Sequence, residues 1–430
     1  MTTTAMLKNF WLTDELSWLK ALTSPRAGAV CLCVVLLLEY AILPFILSIY
    51  THKVDSNAVT LIALTILSVV ALAIGTTFSF VDPWFDGRRP RLVLSSRTFS
   101  VPLWSIFVLY VFVAWFTAPQ IPLVAALTGA DPATIAMLRE LFLKAREGWQ
   151  AAFVYVNAIL TGALIPYSLA LMFVRGTRGR WLAIGFFLVY SLSFVEKAFF
   201  LKAMLPLLVL VAQGTIKTRL KAPKLLLIIV GLLFFITAAS GSGSYEDITG
   251  ASFFSVNYVP QGVVQHIVWR LIAIPFLTAI DTIRVFHEHF DAQFFWGATS
   301  SFVSRIFSME RIELERLVFE AQWGQNITGT GSSNAVYIME AFVNFGWFGV
   351  FIFSFTIGLL MRLFAVSRDE AFRAQWPLFA LNLYSAGLIG LLLSNGFILL
   401  FSMALFMRLR SGSSGSRKAL PTQYDSLPGS

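Results

Sequence analysis

A chain of 430 residues that is 57% apolar and only 13% charged, with a mean hydropathy of +0.76, is not built for water. Soluble domains carry about a quarter charged residues, so the composition excludes a soluble globular fold. The net charge of +9 then matters through its distribution, and it does not point to nucleic acid.

Crossing the hydrocarbon of a bilayer takes about 20 apolar residues. In chain order the apolar runs fall at 29–49, 58–80, 99–118, 151–174, 182–196, 198–214, 225–239, 335–364, 376–393 and 395–410. The expected fold is an all-α polytopic bundle of ten transmembrane helices, with twelve as the alternative. The runs 182–196 and 395–410 are short and read as tilted or partly re-entrant, which is tolerated where protein covers the backbone. The stretch 267–280 is too short to count. Most of the 32 Lys and Arg lie in alternating connections, among them Arg88, Arg89, Arg91, Arg175, Arg178, Arg180, Arg368 and Arg373. The positive-inside rule therefore puts both termini in the cytoplasm.

This gives a cytoplasmic segment 1–28, a first membrane part 29–239, a large outer loop 240–334, a second membrane part 335–410 and a disordered tail 411–430. Asp14 and Glu15 ahead of the first run argue against a cleaved signal peptide, and residues 8–22 read as an amphipathic interfacial helix. Cys31 and Cys33 lie two apart in an apolar run and read as small apolar fillers.

Two outer segments depart from the short loops of a simple bundle. In the first, Asp131 and Pro132 open an amphipathic helix over 131–147. The second, 240–334, is too long for a mere connection. It is rich in aromatics and reads as helices over the mouth of the bundle.

Ionisable groups at membrane depth are costly and mark functional positions by default. Glu340 lies just inside the eighth run, Arg270 follows Trp269 in an apolar setting, and Glu39 is mid-span. Glu196, Lys197 and Lys202 interrupt apolar sequence, and Lys202 has the plainer reading of a snorkelling side chain. Arginine suits pyrophosphate because its planar fork gives paired hydrogen bonds. Arg270, Arg284 and Arg305 are such arginines in the outer loop. Arg311 and Arg316 interleave with Glu310, Glu313, Glu315 and Glu320 and read as a solvated helix face. His287 and His289 point to different faces, so no metal is expected there. The glycines at 241–244 follow no strand, and Asn326 opens only a chance sequon.

The run TGTGSSNAVYIMEAFVNFGWFGVFIF, 328–353, resembles the segment closing the large periplasmic loop in bacterial oligosaccharide repeat-unit polymerases of the Wzy type, membrane glycosyltransferases of the C superfamily. The resemblance rests on a Gly-rich turn leading into a helix with a Glu and an aromatic-Gly pair, here Glu340, Asn344, Phe345, Gly346 and Gly349. FVEKAFFLKAMLPLLVLVAQG, 194–214, is similar to a basic turn of that family, with Lys197 where an Arg is usual.

The resemblance implies polymerisation of undecaprenyl-pyrophosphate-linked oligosaccharides at the periplasmic face of the inner membrane. The growing glycan passes to a sugar hydroxyl of the next repeat, without cofactor, metal or nucleotide. Such chemistry needs cations at the departing pyrophosphate and a base at the acceptor hydroxyl. Arg270, Arg305, Arg284 and Lys197 are the expected pyrophosphate ligands, and Glu340, His266 and Arg270 the expected catalytic group. Trp269, Trp296, Trp323 and Tyr245 are candidates to stack sugar rings, although an aromatic belt at the outer interface gives the same composition. Membrane lipids, a chain-length regulator and a flippase are the partners to consider. An O-antigen ligase, a lipid-linked sugar flippase or transporter and a non-catalytic scaffold are the rival readings. A transporter predicts inverted repeats, whereas this chain is asymmetric.

Overall fold

The computed structural model describes residues 20–52, 55–84, 92–143, 146–196, 199–216, 221–239, 251–324, 331–333 and 336–410. The expected helix at 8–22 up to residue 19, the tail 411–430, Lys197, Tyr245, the glycines at 241–244 and the sequon at Asn326 lie outside them. The described chain is helical apart from one two-stranded parallel ribbon, β1 (Leu92–Ser95) on β2 (Met407–Arg410).

Helix α1 (Pro25–Thr51) starts at Ser24, whose Oγ accepts from the Ala27 amide at 3.2 Å, and it widens into a π turn at Leu38–Ile42. α2 (Ser56–Thr77) is capped by Asp55, and α3 is Ser96–Thr117. The helix expected at 131–147 runs over Pro132–Leu143 (α4), with Asp131 accepting from the Thr134 amide at 2.9 Å. α5 (Gly148–Val174) carries a second π turn at Leu160–Leu164. α6 (Arg180–Ser193), α7 (Leu201–Ala212) and α8 (Ala222–Ala239) complete the first part.

Six described helices are long and apolar enough to cross a membrane: α1, α2, α3, α5, α9 (Val263–Phe290) and α12 (Tyr337–Val366). The apolar stretch 267–280 is thus the middle of a 28-residue helix. Pro275 lies inside α9 without ending it, a placement that neighbouring helices make tolerable in a membrane. The short helices α10 (Ser301–Ile306) and α11 (Leu314–Trp323) follow α9.

The last spans are broken. α12 contains Gly346 at φ 63° and ψ −153°, outside the helical region and open to glycine at little cost. The chain folds back there: the Tyr337 hydroxyl lies 3.3 Å from Ser354 Oγ, whereas seventeen residues of straight helix would hold them about 25 Å apart. The two arms touch closely enough that a Cβ on Gly349 would lie 2.5 Å from the Ala341 carbonyl oxygen. The run expected at 335–364 is therefore a short re-entrant arm followed by a crossing arm. The run 376–393 is also two helices, α13 (Trp376–Ser385) and α14 (Leu388–Leu393), parted at Ala386 and Gly387. α15 (Phe397–Phe406) follows after Gly396, at φ 77°.

Small residues let these helices meet, as they must where lipid removes the hydrophobic drive between apolar faces. α12 lies along α2 with the Gly75 and Gly358 backbones in contact. Beside them the hydroxyls of Ser68, Tyr337 and Ser354 form a closed buried set.

The bundle has two distinct ends. At one, the Thr23 carbonyl accepts from Gln213 and Trp376, and Arg175 donates to the Leu409 carbonyl. There Arg362 grips Asp82 with two donors, and these bonds hold the Asp82 carboxyl below the usual carboxylate range. Arg26, Arg97, Arg368, Arg373, Arg408 and Arg410 gather at this basic end. The opposite end carries His52, α4, α10 and α11.

Candidate functional site

The broken helices meet at Glu340. It sits on the short arm of α12, two turns before the break at Gly346, and its Oε2 accepts from the Ile389 amide at the start of α14 at 3.3 Å. The room comes from Gly387, because a Cβ there would fall inside 3.0 Å of the Glu340 carboxyl atoms.

Glu340 forms the floor of a cavity of about 520 Å³ with Gly387 and Ser394. One wall is Glu140 of α4 with Val154 and Tyr155 of α5. The other is Thr299, Ser301 and the stretch from Arg311 to Arg316. Gly331 and Ser332, at the end of the Gly-rich turn, line it too.

Asn344 fixes this floor to the wall. It is fully buried. Its Nδ2 donates at 2.7 Å to both the Glu340 carbonyl and Thr299 Oγ1, and its Oδ1 accepts from the Gly297 amide at 2.8 Å. The Phe295 and Trp296 amides add bonds to the Val343 and Asn344 carbonyls. The loop before α10 reaches this seat through left-handed residues at Asp291, Ala292, Trp296 and Gly297.

Arg316 and Arg311 share Glu313, at 3.1 and 3.5 Å. Both are about half exposed, as a solvated face would be. They nevertheless line the cavity, which sequence spacing gave no means of seeing because the wall is assembled from distant segments. Glu315 is held by Ser332 Oγ at 3.0 Å, while Gln322 reaches Asp281 of α9 at 2.9 Å. These contacts tie α11 to the Gly-rich turn and to α9. The cavity's charged lining is four carboxylates (Glu140, Glu313, Glu315, Glu340) against two guanidinium groups. It can accept hydrogen bonds from many hydroxyl groups. Among the described residues no group of three or more His, Cys, Asp or Glu is placed to hold a metal ion.

The other expected site residues lie elsewhere. Arg305 is exposed in the last turn of α10, one turn beyond the cavity-lining Ser301. His266 is buried and Arg270 exposed on α9; the ring of Trp269 lies 6.2 Å from His266 and 6.0 Å from the Arg270 guanidinium carbon. Their helix approaches the floor next door, where Tyr384 donates to the Leu271 carbonyl at 2.9 Å. Arg284 is paired with Asp281 at 2.8 Å. Glu39 is buried in the π turn of α1.

Residues 324–386 match the family described as "O-antigen polysaccharide polymerase Wzy". The match covers Glu340, Asn344 and Gly346 and ends one residue short of Gly387. It bears out the resemblance drawn from residues 328–353. No curated protein and no solved structure matches the chain.

Proposed function

We propose, taking as premise that this chain is a Wzy-type O-antigen polymerase, that the cavity above Glu340 is where lipid-linked repeat units are joined. One observation carries the reading: the segment that matches the polymerase family places a carboxylate on the floor of a hydroxyl-accepting chamber built from broken membrane helices. The enzyme is a membrane glycosyltransferase acting on undecaprenyl-pyrophosphate-linked oligosaccharides. The basic end faces the cytoplasm and the cavity opens on the outer face of the inner membrane. The arginines gathered at the basic end support that orientation.

In the reaction, a hydroxyl of the acceptor sugar donates to the Glu340 carboxylate. Its oxygen attacks the anomeric carbon of the donor glycan, whose bond to pyrophosphate breaks with the electron pair leaving on the phosphate oxygen. The proton goes to Glu340 and then to water in the cavity. The anomeric phosphate supplies the driving force, so neither nucleotide nor metal is consumed. Charge develops on the departing pyrophosphate, and cations there stabilise the transition state. Arg311 and Arg316 line the cavity and take the donor pyrophosphate by exchanging Glu313 for phosphate oxygens; Arg305, one turn beyond the cavity-lining Ser301, adds a further cation. Arg270 and His266 guide the lipid-linked unit along α9. Arg284 serves through its pairing with Asp281, and Lys197 adds a further cation for the pyrophosphate.

The test is purified protein in proteoliposomes with lipid-linked repeat units and neither nucleotide nor divalent metal. The expected result is a glycan ladder with one undecaprenyl pyrophosphate released per linkage. Transfer to a lipid A core instead of to another repeat would identify a ligase and refute the polymerase reading.

A further inference from the structure

Among the described residues, two cations at the cavity end form no ion pair. Arg139 lies on α4, beside the cavity residue Glu140, and its Nε is buried without a hydrogen-bond partner. Lys202, at the start of α7, holds its Nζ 4.2 Å from the centre of the Phe199 ring. Both are half-buried, and the charge acting on each is the exposed Glu196, which lies between them in the chain.

Aromatic packing joins the two carriers. Phe142, one turn on from Arg139, meets Phe194 at 5.1 Å, and Phe194 meets Phe199 at 4.8 Å. All three rings are buried, so α4 and the turn before α7 are held as one unit. A desolvated cation without a partner costs free energy. Two joined in this way, sharing one exposed carboxylate, leave a net positive site at the same end as the cavity.

The cavity itself carries more carboxylates than guanidinium groups, and its two arginines already share Glu313. Joining two lipid-linked units requires two pyrophosphates to be held at once. We propose that Arg139 and Lys202 form a second anion site, beside the cavity, for the pyrophosphate of one of the two lipid-linked units. The inference rests on the polymerase reading. The guanidinium fork pairs with two phosphate oxygens, the ammonium supplies a point charge, and the ring cluster excludes water.

The test counts undecaprenyl pyrophosphate bound to the full chain in phosphatidylcholine nanodiscs by native mass spectrometry. Two equivalents are expected on wild type. Arg139→Gln and Lys202→Gln should each weaken the second about tenfold or more, the loss of one charge-assisted hydrogen bond. Arg311→Gln with Arg316→Gln should weaken the first instead. Glu196→Gln should tighten the second severalfold, a gain that misfolding cannot produce. The proposal is overturned if Arg139→Gln and Lys202→Gln bind two equivalents as wild type does. It is equally overturned if phosphatidylglycerol or inorganic pyrophosphate displaces the second equivalent at matched concentration, since the site would then take any anionic headgroup or free anion. Ladder formation in the same nanodiscs separates the two ideas. A wild-type ladder with a single equivalent sinks the second site alone. Two equivalents, sensitive as described but with no ladder from wild type, support the anion site and sink the polymerase reading.

Discussion

Replacing Gly387 with alanine adds one methyl group at the point where the cavity floor has no space. That Cβ would stand inside 3.0 Å of the Glu340 carboxyl carbon and both its oxygens, whereas relaxed contacts between carbon atoms need about 3.5–4.0 Å. The carboxyl must therefore retreat by about 1 Å and give up the Ile389 amide. A displacement of that size at a reacting group costs about 10²-fold in rate. Overpacking of this kind also costs about 1–3 kcal/mol of stability, which leaves the fold intact. The assay is the rate of ladder extension per folded chain in proteoliposomes, with thermal unfolding monitored in parallel. Gly387→Ala should extend about a hundredfold more slowly. Combining it with Glu340→Asp, whose side chain is one methylene shorter, should recover part of the rate. Extension by Gly387→Ala at the wild-type rate would refute the placement of Glu340 as the reacting carboxylate.

Asn344→Ala leaves the buried Gly297 amide and Thr299 hydroxyl without their partner. It should destabilise by about 1–3 kcal/mol per orphaned group, read as a lowered thermal midpoint together with slower extension. Arg316→Gln should lower kcat more than it raises the KM for the lipid-linked unit, because the charge it meets grows in the transition state, measured by extension rates across substrate concentrations. At the basic end, Arg362 keeps the Asp82 carboxylate charged to lower pH than in the unfolded chain. Its contribution is therefore present above the ordinary carboxylate range and fades as pH falls through the depressed folded value. Because this pair is partly exposed, the effect is at most about 1 kcal/mol. Thermal midpoints of wild type and Asp82→Asn should differ at pH 7 and converge in acid; a gap that persists in acid would contradict the ion-pair origin.

Much of the fold was legible because a bilayer leaves few options: apolar length alone marks spans, and Asp131 with Pro132 announced α4. The breaks were less visible. Gly346, Gly387 and Gly396 sit within apolar runs, and their effect depends on what the backbone meets on the facing helix. That is a tertiary property with no local pattern. The length of α9 was obscured because charged residues at both ends of its apolar middle lower the average that identifies a span. Within the site, Glu340 stood out as a carboxylate in apolar sequence. Arg311 and Arg316 did not, since their alternation with glutamates reads identically on a free helix and on a cavity wall. Arg139 and Lys202 were hidden for the opposite reason: nothing in spacing tells a snorkelling cation from one that forms no ion pair among the described residues.

The most direct test of the central claim is Glu340→Gln, which keeps the shape of the side chain and removes its capacity to take a proton. Purified in proteoliposomes with lipid-linked repeat units, this variant should bind undecaprenyl pyrophosphate as wild type does and build no ladder. A ladder of wild-type length and rate from Glu340→Gln would contradict the assignment of the cavity as the polymerisation site.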